Sequence, residues 1–201
     1  MSRFTTSLPA RYFEDQYARD PDPWNFTTSA YEHAKYAATL AALSRDRYAA
    51  ALEVGCSIGV LTEALAARCD DVLGLDLAEL ALQQARARCQ GLGHVRFARA
   101  QVPDEWPDGS FDLILLSEVV YFLDPGDVQR LAAHVRRSLR PNGEVLLVHW
   151  TGMTHYPLSG DAAAEHFIAA AGPFLHPLRQ IDTDDYRLDL LAAAQQHDGQ
   201  P

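Results

Sequence analysis

The residues best able to do chemistry lie in one short run, Leu52-Glu53-Val54-Gly55-Cys56-Ser57-Ile58-Gly59. It joins an apolar strand-like segment to a helix-like one. Gly55 gives the chain a turn whose dihedrals other residues resist, and it lets a ligand approach the backbone. Gly59 lets the new helix pack closely, and the free N–H groups at that helix start point into the crevice. The pattern is E-x-G-x-x-x-G. A dinucleotide site asks for G-x-G-x-x-G, with a further glycine for the pyrophosphate, and here position 57 is Ser.

Glu53, just before the turn, would repel a pyrophosphate but suits a positive centre. Asp76 stands 21 residues beyond Gly55, at the end of the next apolar run, where a carboxylate can take both hydroxyls of a ribose. Together they imply a nucleoside without phosphates that carries an amine or a sulfonium: S-adenosyl-L-methionine, with S-adenosyl-L-homocysteine as its product. Plainer roles exist for each residue. The glycines also suit an ordinary strand-to-helix turn. Asp76 also suits a helix cap, with Glu79 three residues on.

These residues need a scaffold. Short apolar runs at 48–54, 71–76, 95–98, 111–116 and 145–148 read as strands, and amphipathic stretches at 58–68 and 77–90 read as helices. Ser29 and Glu32 have capping-box spacing at the start of a helix whose one face carries Tyr31, Ala34, Ala38 and Ala41. Asp124, Pro125 and Asp127 start another helix, with the stripe Val128, Leu131, Val135, Leu139, arginines at its end and Pro141-Asn142-Gly143 as its stop. A helix over 161–171 and strands over 175–181 and 186–191 close the chain. Strands alternating with helices predict a parallel sheet covered on both faces. The last two strands are too close in sequence for a parallel crossover and must pair antiparallel. The expected class is α/β: a Rossmann-like, seven-stranded, mostly parallel sheet with one antiparallel strand near the C-terminal edge. The region before Phe26 reads as the loosest part, broken by Asp20, Pro21, Asp22 and Pro23, and the polar tail from Gln195 reads as frayed.

The chain has 201 residues, 48% hydrophobic and 22% charged, with 17 basic and 27 acidic residues and a net charge of −10. That is one soluble domain's worth of sequence, and a poor match for non-specific nucleic-acid binding. Only Lys35 among the basic residues is a lysine, which reads as coding bias. The apolar runs are far shorter than the roughly 20 residues of a membrane span, and the N-terminus lacks the pattern of a secretory signal. Cys56, Cys69 and Cys89 lack C-x-x-C spacing, so neither a disulfide framework nor a metal site is indicated. A cytoplasmic protein without membrane or nucleic-acid partners is the expectation, its oligomeric state open.

The sequence resembles the class I S-adenosylmethionine-dependent methyltransferases and, more narrowly, the NodS-like nodulation methyltransferases. The matching features are Asp22-Pro23-Trp24 with Tyr31-Glu32-x-x-Lys35-Tyr36, then LEVGCSIGVLTEALA, then FDLILLSEVVYFL. The resemblance implies N-methylation of the free amine of a deacetylated chitin-type oligosaccharide. It implies that Glu53, Gly55, Cys56 and Gly59 border the methionine part, that Asp76 and Leu77 hold the ribose and adenine face, and that Gln101 and Val102 read the adenine. Gln101 stands where many relatives have Asp. Ser117 and Glu118 would lie beside the sulfonium and the acceptor. Trp24, Tyr31 and Lys35 would belong to an N-terminal lid over the cofactor, within residues 1–45, with the core in 46–195. Trp24 also suits an ordinary aromatic anchor, and Lys35 a solvated helix charge.

An amine must be uncharged to attack, so a neighbouring base would help. Glu118 is the first candidate and His149 the second. His149, Trp150 and His155 follow the fifth strand and suit an acceptor pocket, although single histidines also serve structure. The acceptor is a small molecule or oligosaccharide, and no metal is required. O- or C-methylation of another small molecule suits the same fold. So does a catalytically silent cofactor-binding protein, and a nicotinamide oxidoreductase is disfavoured by the missing glycine.

Overall fold

A computed structural model describes residues 3–194 of the chain; the tail from Gln195 lies outside them. The elements in order are α1 (Ala10–Arg19), α2 (Ala30–Ala42), β1 (Ala51–Val54), α3 (Val60–Ala66), β2 (Val72–Asp76), α4 (Glu79–Arg88), β3 (Val95–Arg99), β4 (Phe111–Ser117), a 3-10 turn (Val120–Phe122), α5 (Pro125–Ser138), β5 (Leu139–Trp150), α6 (Gly160–Ala171), β6 (Leu175–Asp182) and β7 (Tyr186–Ala193).

The seven strands form one sheet in the order β3-β2-β1-β4-β5-β7-β6. β7 runs antiparallel to both β5 and β6, and β1 to β5 are parallel. The expected seven-stranded, mostly parallel sheet with an antiparallel strand near its C-terminal edge is thus formed. After β3 the chain returns to the other side of β1, so the switch point lies between β1 and β4, where open α/β sheets bind ligands at the carboxyl ends of their strands.

Neighbouring residues of the central strands serve opposite faces. Leu52, Val54, Ile114 and Leu116 pack with Val128, Leu131, Val135 and Phe167 of α5 and α6. Ala51, Leu113 and Leu115 pack with Ala42, Leu61 and Leu65 of α2 and α3. A strand buried on both sides has no polar face, which is why these segments read as unbroken apolar runs.

The helix starts are local. Ser29 accepts from the Glu32 N–H at 3.3 Å, and Asp124 accepts from the N–H groups of Gly126 and Asp127 at 2.9 and 3.1 Å. The stop at Pro141-Asn142-Gly143 comes late: α5 ends at Ser138, and Leu139 already pairs with Phe111 in the sheet.

Two expectations need correction. The segment before Phe26 is not loose, because α1 forms there and presents Phe13 and Tyr17, one turn apart, to Ile58 and Ala81. Breakers at 20–23 end that helix rather than prevent it. And α2 buries Glu32, Lys35, Thr39 and Ala42, while the alanine face, with Ala34 and Ala41, is exposed. A helix that walls a polar site buries its polar stripe, and periodicity read as hydrophobicity then picks the wrong side.

Candidate active site

A cavity of about 350 Å³ opens at the carboxyl ends of β1, β2 and β4, roofed by the segment before β1. Its wall includes Gly55, Asp76, Leu77, Gln101, Val102 and Glu118 from the sheet side, and Tyr17, Trp24, Tyr31, Glu32 and Lys35 from the roof. That volume is in the range of small-molecule sites.

The glycine turn is built as its spacing requires. Gly55 has φ +80°, and a Cβ there would lie 3.3 Å from the Ser117 carbonyl oxygen. Gly59 has φ +79°, and a Cβ there would lie 3.0 Å from the Cα and Cβ of Ala85. Gly59 therefore sets the packing of α3 on α4 and does not reach the cavity, so it borders no ligand directly. Glu53, Cys56 and Ser117 line a smaller cleft beside Gly55, shared with Phe26 and Tyr36.

Asp76 ends β2. Its Oδ2 accepts from the Ser57 N–H and its Oδ1 from the Ala78 N–H, both at 2.9 Å. It thus clamps the glycine turn and holds Ala78, the residue before α4, while lying on the cavity wall. Burial raises its carboxyl above the ordinary value, and those backbone donors pull the other way. Tyr17 and Ser57 share a hydroxyl–hydroxyl hydrogen bond that ties α1 to the same turn. Neither was found from the sequence; the aromatic pair Phe13 and Tyr17, one helical turn apart, was the available signal.

Glu53 is buried beneath the turn, and its Oε2 has no hydrogen-bond partner among the described residues. Burial pushes this carboxyl up to about 7.

Lys35, the only lysine, is 2% exposed, which removes the solvated-charge reading. Its Nζ donates to Glu118 Oε1 at 2.5 Å and to Glu32 Oε1 at 3.1 Å, and it lies 5.0 Å from the centre of the Tyr31 ring. Burial works against its charge, but Glu118 and Glu32 outweigh this and hold the ammonium above the ordinary lysine value. Glu118 leaves β4 with φ +55°. Its Oε2 accepts from the Tyr121 hydroxyl at 2.6 Å and from the Trp150 N–H at 3.0 Å. Tyr121 was visible in the SEVVYFL run, three residues past Glu118, but its role depends on the turn between them.

His149 is wholly buried and does not reach the cavity. Its Nε2 accepts from the Val120 N–H at 3.2 Å, and burial holds it down to about 4. It is neutral, faces the turn after β4 and supports that turn; the second candidate base is thereby moved out of the site. Trp150 lines the cavity, with Tyr156 beside it, and His155 does not. Trp24 is an aromatic anchor that also faces the cavity. It stacks on Phe26 at 5.7 Å and meets Tyr17 edge-on at 5.6 Å, and it is part of the cavity wall. Asp22 holds this loop by accepting from the N–H groups of Phe26 and Thr27 at 2.8 and 2.9 Å.

The family model of Nodulation protein S (NodS) matches residues 12–148, which contain the roof, the glycine turn, Asp76 and Glu118. The chain belongs to the NodS family. A Nodulation protein S from Bradyrhizobium diazoefficiens is 37% identical over 116 residues, 57% of this chain and 54% of that protein. The chain spans about half the length of the curated NodS relatives it matches. A solved structure from Pseudomonas syringae is 38% identical, with 82% of this chain and 99% of that chain covered and a TM-score of 0.72. N-methyltransferase NodS from Bradyrhizobium japonicum WM9, solved in complex with S-adenosyl-L-homocysteine, has a TM-score of 0.79 at 21% identity, covering 92% of this chain and 98% of its own. The NodS fold is thus matched in both its sheet and its N-terminal roof.

Proposed function

We propose that the chain is an S-adenosylmethionine-dependent N-methyltransferase acting on an amine of a sugar or small metabolite. The observation that carries this reading is the wall formed by Glu32, Lys35 and Glu118: two carboxylates share one ammonium, leaving one negative charge unbalanced where a cationic acceptor would enter.

The cofactor-binding residues fit the same reading. Asp76 offers two carboxylate oxygens to ribose hydroxyls, and Leu77, Gln101 and Val102 offer a face for adenine. Gly55, with φ +80° and a tight 3.3 Å approach to the Ser117 carbonyl oxygen for any Cβ, disfavours a side chain, so a ligand there meets backbone. Glu53, with a buried oxygen lacking a partner, suits the amino group of a methionine tail, with Cys56 and Ser117 beside it. When bound, S-adenosylmethionine supplies an electrophilic methyl group. The protein's share is alignment and exclusion of water. Trp24, Tyr31 and Tyr17 close the site from above, and Glu118 anchors Lys35 across it.

The test is methyl transfer from labelled S-adenosylmethionine over a panel of aminosugars and small amines, beside calorimetry with S-adenosyl-L-homocysteine and with NADH. Product methylated at nitrogen supports the reading. Binding of the homocysteine ligand without transfer to any acceptor would favour a silent binder, and methylated hydroxyl or carbon products would replace the acceptor class.

A further inference from the structure

We infer that Glu32, and not Glu118, is the carboxylate that meets the acceptor amine and takes its proton. This rests on the amine-methylation reading above. Glu118 is the more heavily engaged of the two carboxylates. Oε1 is taken by Lys35, and Oε2 accepts from both the Tyr121 hydroxyl and the Trp150 N–H. Turning it toward a substrate would release Lys35 and take the acceptor from the Trp150 N–H and the buried Tyr121 hydroxyl.

Glu32 lines the same cavity and is differently placed. Lys35 donates to its Oε1 and stands equally close, 3.1 Å, to Oε2, which is buried and has no hydrogen bond among the described residues. The next side chain on the wall, Tyr31, likewise has a buried hydroxyl without a partner. An ammonium that displaces Lys35 from Oε2 meets there, with the Tyr31 hydroxyl, two buried acceptors from adjacent residues. The charged and titratable groups facing Glu32 are Lys35, Tyr31 and Tyr36 on its own helix, Glu118 and Tyr121 from the segment after β4, and Asp22 from the roof loop. Burial raises the Glu32 carboxyl first, Lys35 opposes this, and the nearby carboxylates add to it. A carboxylate raised in this way is better suited to hold a proton than an ordinary surface glutamate.

The proton step balances within these groups. The acceptor ammonium gives one proton to Glu32 Oε2, the nitrogen keeps its electron pair, and Glu32 becomes a neutral carboxylic acid. Lys35 stays paired with Glu118 throughout, so the wall never holds an unpaired cation. When the methylated product leaves, the proton passes to water and Glu32 pairs with Lys35 again.

Glu32→Gln keeps the Lys35–Glu118 pair and so should fold, which a melting curve checks. Carbon-13 spectra of protein labelled at glutamate carboxyls are recorded against pH, without cofactor or acceptor, and the Glu32 signal is assigned by its loss in Glu32→Gln. That signal is expected to titrate above the ordinary glutamate range. With glucosamine as acceptor, Glu32→Gln should lower kcat by about 10²-fold or more, abolish the acidic limb of the pH profile and leave affinity for S-adenosyl-L-homocysteine unchanged. Glu32→Asp, which keeps a carboxylate, should keep the limb. A Glu32 that titrates in the ordinary range, or a Glu32→Gln enzyme with wild-type rate and profile, overturns the assignment. Wild-type protein that methylates no amine, while Glu32 titrates high, overturns the amine reading and leaves Glu32 as the proton acceptor of the site.

Discussion

Lys35 and Glu118, 83 residues apart in the chain, form a 2.5 Å ion pair that ties α2 to the segment leaving β4. The roof and the sheet are therefore joined by a charge contact in the middle of the cavity wall. Lys35→Met leaves Glu32 and Glu118 close together without a cation. Removing one partner of a buried pair costs roughly 3–5 kcal/mol, so urea unfolding should show a large loss. The double variant Lys35→Met with Glu118→Gln should recover part of it. A single variant as stable as wild type would show that water replaces the lysine.

Asp76→Ala should weaken S-adenosyl-L-homocysteine binding by about 1–3 kcal/mol, the effect of leaving polar groups unpaired. It should also lower the melting temperature, because the Ser57 and Ala78 N–H groups lose their acceptor. Calorimetry and a thermal scan on one sample separate the two roles. A lower melting temperature with unchanged affinity would reduce Asp76 to a clamp on the turn.

Glu53 links stability to pH. Its carboxyl is raised by burial from the ordinary 4.5 to about 7. The folded chain then holds this proton more tightly than the unfolded chain does. The resulting stabilisation is complete below about 4.5 and is lost as pH rises through about 7. It amounts to something on the order of 3 kcal/mol. Glu53→Gln has nothing to ionise, so its unfolding free energy should fall less than that of wild type between pH 5 and pH 8. Parallel slopes for the two proteins in denaturant titrations would show that Glu53 ionises freely where it is.

The roof should close over bound ligand. Tyr17 bonds to Ser57 in the glycine turn, and Trp24 and Tyr31 line the cavity. Limited proteolysis between Asp15 and Thr28 should slow when S-adenosyl-L-homocysteine is bound, and Tyr17→Phe should narrow the difference. Equal cleavage with and without ligand would make the segment a fixed wall.

Much of this molecule is legible without its structure. The seven strands, the antiparallel closing pair, the caps at Ser29 and Asp124 and the strained turn at Gly55 follow from the chain itself. Each depends on residues within a turn or a few positions of one another. Apolar runs buried on both faces read the same wherever their partners lie.

What the sequence leaves open is the use of each polar group. Glu32 reads as a capping residue, Lys35 as either a lid residue or a solvated helix charge, and Glu118 as the first candidate base with His149 the second. Only the folded chain separates them. It brings the Val120 N–H onto His149, engages both oxygens of Glu118 with partners from α2, the turn after β4 and the end of β5, and leaves Oε2 of Glu32 beside Lys35 without a hydrogen bond among the described residues. The same packing turns the polar stripe of α2 inward and leaves Ala34 and Ala41 exposed. The physical reason is range. A cap or a strand is settled by its own neighbours, whereas the state of a buried charge is set by donors and carboxylates that arrive from far along the chain, and by how much water they displace.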